Sequence, residues 1–102
     1  MEWYNYIAVF FSGAVFANVV PHFVNGISGN KFPSPFAKPP GKGLSSPLTN
    51  VLWAGFNLVL GFVLFKAVKF DTNNLGVWLV FFSGVMALSI PLSIRFSKKD
   101  KE

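Results

Sequence analysis

A chain of 102 residues holds one domain at most. With 52% hydrophobic residues, a mean hydropathy of +0.49 and only 13% charged residues, it departs from ordinary soluble domains, where about a quarter are charged. The net charge of +5 comes from basic residues that bracket apolar runs, which argues for a membrane topology signal and against a nucleic-acid face; the lack of Cys excludes disulfides, thiol catalysis and Cys-based metal sites.

The chain begins with Met1, Glu2, Trp3 and Tyr4. A signal peptide begins with positive charge, so the first apolar run is read as a retained span despite the small residues Ala14 and Ala17. This first span covers residues 6–24, with Trp3, Tyr4 and Tyr6 as an aromatic belt. Pro21 lies in its last third. There it removes one backbone N–H, leaves the Ala17 carbonyl without its usual partner, and predicts a kink.

Residues 26–46 are expected to be irregular. Pro33, Pro35, Pro39 and Pro40 oppose helix, and Gly26, Gly29, Gly41 and Gly43 punctuate the rest. Loops of this length in small proteins are usually functional or disordered. Ile27, Phe32, Phe36 and Leu44 argue for a loop packed on the helix ends. A re-entrant path is acceptable only where protein or water covers the backbone.

The second span is expected over residues 48–65, with Ser46 as N-cap, Pro47 at the first helical position, and Lys66 and Lys69 closing it. Asp71, Thr72, Asn73 and Asn74 form a polar turn. The third span covers residues 75–96, long enough to cross a bilayer core of about 30 Å. Pro91 predicts a second kink, Arg95 snorkels at the end, and residues 97–102 form a charged tail. The fold class is therefore an all-α integral membrane protein with three transmembrane helices and a long Pro/Gly-rich loop between the first two.

Counting Lys and Arg sets the orientation. With the N-terminus outside, the first loop and the tail place seven on the inner side and the second loop places two outside. This predicts N-out, C-in, with the Pro/Gly loop cytoplasmic. The run Val9-Phe-Phe-Ser-Gly13 recurs as Val80-Phe-Phe-Ser-Gly84. Chance between apolar segments suffices for the ancestry. As packing chemistry, Ser-Gly on two parallel helices permits close approach. Small residues also line Ala8, Ser12, Gly13 and Ala17, and Gly76, Ser83, Gly84 and Ala87. These faces predict a homo-oligomer or docking onto a larger membrane complex.

Two constellations are candidate sites. Asn18, His22 and Asn25 share one face of the first span; Asn50, Asn57 and Gly61, with Ala54, share one face of the second. Polar side chains in lipid are costly unless they face the bundle interior or water, so Asn18, His22, Asn25, Asn50 and Asn57 are expected to form one cluster under the loop. They would either bind or pass a solute, or simply bond the helices together at about 0.6 kcal/mol per bond. The second constellation is Gly41, Lys42, Gly43, Ser45 and Ser46. With the second helix start it forms a candidate nest for an anion, most naturally an anionic lipid headgroup. Its plainer reading is a capped helix start with a solvated Lys.

Glu2, Asp71, Asp100 and Glu102 are the only acids, and none lies in a span. That opposes ion-coupled transport and paired-carboxylate catalysis. A single His is a poor metal site, and no third orienting group accompanies a Ser beside it, so the enzyme signal is weak. No cofactor is called for. The leading functional reading is a non-catalytic accessory or scaffold subunit. The alternatives are a small channel or carrier for a neutral or anionic solute, and a lipid-headgroup-binding protein or membrane enzyme.

Overall fold

The computed structural model describes residues 2–40, 42–68 and 73–98. It contains α1 (Trp3–Ile27), β1 (Phe32–Pro33), β2 (Leu44–Ser45), α2 (Pro47–Ala67) and α3 (Leu75–Phe96). All three helices are long and apolar enough to cross a membrane. At 1.5 Å per residue, α1 is roughly 37 Å long and the other two roughly 32 Å.

Pro21 and Pro91 both lie inside their helices and end neither. α1 continues past the expected end of the first span, to Ile27. The extension has local causes. Asn25 Nδ2 donates to the Pro21 carbonyl at 2.8 Å, and Ser28 N and Gly29 N close the last turn on Val24 O and Gly26 O. Gly29 follows at φ +76°, a left-handed conformation suited to Gly after a helix.

α2 begins where the Ser46-Pro47 pair predicts. Ser46 is the N-cap, its Oγ accepts from Thr49 N at 3.1 Å, and Pro47 needs no amide partner in the first turn. Asn74 caps α3 in the same way through Gly76 N, at 2.9 Å. Asp71 and Thr72 of the polar turn before it lie outside the described residues.

α1 is the central helix. It packs against α2 and α3, while Phe65 and Phe81 meet edge to face between α2 and α3, 6.4 Å apart. α1 and α2 run antiparallel. Ser12 Oγ donates to Gly61 O at 3.2 Å, and at the opposite end Gly26 lies against Pro47 and Val51. α1 and α3 run parallel through their two copies of the Ser-Gly pair. A Cβ on Gly13 would overlap the Phe81 carbonyl, and one on Gly84 would overlap the Phe10 carbonyl. Close approach of two backbones requires glycine at both positions.

The interior is small and polar and the exterior is large and apolar. α2 buries Asn50, Ala54, Asn57 and Gly61, the face that helical spacing predicts. Leu52, Phe56, Val59, Phe62 and Val63 of the same helix are exposed. α3 buries only Val77 and Gly84 and exposes Leu79, Phe82, Met86, Ile90 and Ile94. A water-soluble bundle reverses this order. Helices surrounded by lipid gain nothing from hiding leucine, and pack through small residues instead.

The connection between α1 and α2 corrects the expectation of a wholly irregular loop. It closes on itself as a strap. β1 and β2 pair antiparallel, with Phe32 opposite Ser45 and Pro33 opposite Leu44. Pro is tolerated at the end of so short a ladder because it donates no hydrogen bond there. Between the strands, Lys42 N and Gly43 N both donate to Pro39 O, at 3.1 and 2.8 Å. Gly43 runs so close to Lys38 that a Cβ would overlap the Lys38 carbonyl. The Lys38–Pro39 bond is cis.

Candidate functional site

The site is organised by Asn50, one turn into α2 and fully buried. Its Nδ2 lies within reach of three strap and helix-start carbonyls: Phe32 O at 2.9 Å, Ser46 O at 3.1 Å and Ser45 O at 3.3 Å. An amide nitrogen has two hydrogens, so this donor is fully committed. Its Oδ1 is 2.7 Å from His22 Nδ1 on α1. With the amide oriented by those carbonyls, Oδ1 must accept and Nδ1 must carry the hydrogen. One side chain thus joins α1, α2 and both ends of the strap.

His22 is 2% exposed. Phe32, Trp53 and Phe96 all present their rings edge to face around it, with centroids 5.6, 6.4 and 6.3 Å away. Phe32 also packs on Phe96 at 4.6 Å, which brings the strap onto α3. Below this layer Asn18 Nδ2 donates to Asn57 Oδ1 at 3.2 Å, and Asn57 Nδ2 returns to Trp53 O at 2.8 Å. The strap adds its own buried pair, Ser34 and Ser45, with hydroxyls 2.6 Å apart. Ser34 Oγ also accepts from Phe36 N at 3.1 Å.

Four of the five polar residues singled out by helical spacing therefore meet in two bonded pairs, His22 with Asn50 and Asn18 with Asn57. Asn25 does not join them; its amide turns back onto Pro21 of its own helix. In the described residues of the candidate nest, backbone and hydroxyl donors bond within the protein. The amides of Lys42 and Gly43 are committed to Pro39, the Ser45 hydroxyl to Ser34, and the Ser46 hydroxyl to Thr49. Gly41 lies outside the described residues.

Beside His22 is a cavity of about 310 Å³, walled by Asn18, His22, Ser34, Trp53, Arg95 and Phe96 among others. Two polar groups of the lining residues keep unused capacity. Trp53 Nε1–H is buried and has no hydrogen-bond partner. His22 Nε2 has none among the described residues, its other nitrogen being held by Asn50. No group of three or more His, Asp or Glu residues able to hold a metal occurs among the described residues.

Ser34, Trp53, Arg95 and Phe96 are site residues that sequence reasoning did not single out. Ser34 stands between two prolines, where no periodicity marks a face, and Arg95 and Phe96 reach the site only because α1 and α3 are parallel. Compared with protein-family models, curated proteins and solved structures, the chain matches none. What the fold defines is a small protein with three apolar helices of membrane-spanning length, capped at one end by a strap.

Proposed function

We propose that the chain is an integral membrane protein that crosses the bilayer three times, N-terminus outside, with the strap and C-terminus cytoplasmic. In this reading it serves as a non-catalytic accessory or scaffold subunit, as a homo-oligomer or within a larger membrane complex. The observation that carries this is the reversed interior. The buried polar groups hold helices and strap to one another, and broad apolar faces of α2 and α3 are left outward. The charge count of seven basic residues against two supports the orientation.

A channel or carrier has weaker support. Asn18, His22, Asn50 and Asn57 bond to one another in closed pairs, and a permeation path needs polar groups that face water. Cross-linking in native membranes, followed by native mass spectrometry of the gently solubilised protein, tests the proposal. The expected result is a homo-oligomer or a complex with a larger membrane protein. Recovery of the monomer alone overturns it.

A further inference from the structure

We infer that the groove between the strap and the last two turns of α3 binds the headgroup of an anionic phospholipid. The groove, about 600 Å³, is lined by Lys42, Ile90, Pro91, Ile94, Arg95 and Lys98. On α3 Ile90, Pro91, Ile94 and Arg95 share one face, successive positions being one or three residues apart, and Lys98 follows two residues after the helix ends. Their order along the helix is chemical as well as geometric. Ile90 and Ile94 are exposed on the side toward the middle of the helix, and Arg95 and Lys98 stand at its end. A phospholipid has the same order, with acyl chains deep and phosphate at the boundary. A soluble phosphate would use only the cations, and a neutral lipid only the apolar strip.

Lys42 is brought to this groove by the fold. Arg95 Nη2 donates to Pro40 O at 3.3 Å and ties the strap to α3. The Lys42 and Gly43 amides turn onto Pro39, and the close passage of Gly43 past Lys38 allows no side chain there. Lys42 is thereby held two residues beyond the tie, across from Lys98. Three cations from two separate elements then surround one space large enough for a phosphodiester. Basic pockets at the cytoplasmic ends of spans are where anionic headgroups are recognised.

The inference rests on the membrane-spanning reading, and the test separates the two. The full chain is reconstituted into phosphatidylcholine vesicles containing phosphatidylglycerol, washed at alkaline pH, and extracted for native mass spectrometry of retained lipid. Phosphatidylglycerol should be retained over phosphatidylcholine. Lys42→Gln and Lys98→Gln should each weaken retention about fivefold, the usual effect of one basic side chain near an anionic surface. These variants leave the Arg95–Pro40 tie in place. Lys66→Gln removes the same charge from the last turn of α2, at the opposite end, and should change retention less than twofold. Equal losses in all three variants would make the effect one of net charge and overturn the site. Displacement of the lipid by excess inorganic phosphate would make soluble phosphate the ligand and overturn the lipid assignment. A chain that inserts but shows no preference overturns the site alone; one removed by the alkaline wash overturns the membrane reading with it.

Discussion

Gly13 and Gly84 make the same contact in opposite directions. An added Cβ on Gly13 would stand 3.2 Å from the Val85 amide and overlap the Phe81 carbonyl; on Gly84 it would stand 3.2 Å from the Ala14 amide and overlap the Phe10 carbonyl. These partners correspond position for position in the two Val-Phe-Phe-Ser-Gly copies. The weak repeat is thus a local two-fold relation between parallel helices, whatever its origin. It also explains why both copies end in Gly.

The reciprocity makes a quantitative prediction. Gly13→Ala and Gly84→Ala should destabilise the protein about equally, by roughly 1–3 kcal/mol each, because each methyl meets main chain that cannot rotate away. Gly55, also in a helix, has nothing within 4 Å of an added Cβ. Gly55→Ala should be neutral or stabilising. Unfolding in mixed detergent checks all three. Equal tolerance of alanine at the three positions would show that α1 and α3 do not approach as described.

Asn50 should matter far more than Asn18. Asn50→Leu leaves the Asn50-facing carbonyls and the His22 donor to find other partners, at about 1–3 kcal/mol for each buried group left unsatisfied. Asn18→Leu removes one interhelical bond, worth roughly 0.6 kcal/mol. Hydrogen exchange of the strap amides reads the difference directly. Asn50→Leu should accelerate exchange at residues 32–46, and Asn18→Leu should not.

The strap has its own lock. Ser34→Ala removes the partner of the buried Ser45 hydroxyl and the acceptor for Phe36 N, which should cost about 1 kcal/mol. Ser45→Ala combined with Ser34→Ala should cost less than the two single changes together, since only one shared bond is lost. A strictly additive double-variant cycle would mean that the two hydroxyls do not meet.

The hydrogen on His22 is assigned by its neighbour and can be seen. Nitrogen-15 spectra of the imidazole should show Nδ1 bearing hydrogen, with a coupling across to Asn50 that vanishes in Asn50→Leu. A spectrum dominated by the Nε2–H tautomer would make His22 Nε2 a donor and overturn the assignment of Asn50 Oδ1 as acceptor from Nδ1.

Because the chain has no Cys, single-cysteine labelling gives its topology cleanly. Ser97→Cys should be labelled from the cytoplasmic side and Asn5→Cys from the outside, if seven basic residues against two set the orientation. The opposite labelling pattern would place the strap outside.

Much of the architecture was legible in the residues alone. Three apolar runs of sufficient length, the Ser46-Pro47 helix start, and the buried α2 face of Asn50, Ala54, Asn57 and Gly61 all follow from local rules. Propensity, capping and a period of 3.6 act over one or two turns, so they can be read without knowing what lies opposite. Tertiary structure decided the partners. Asn25 shares its face with His22 yet turns to Pro21, because a carbonyl of its own helix lies within reach. The nest donors close on Pro39, Ser34 and Thr49, since buried or turning amides and hydroxyls take the nearest acceptor. Lys42, fifty-odd positions from Arg95 and Lys98, joins them only when the strap folds back over parallel α1 and α3. Such meetings depend on packing between distant segments, and no spacing within a single segment encodes them.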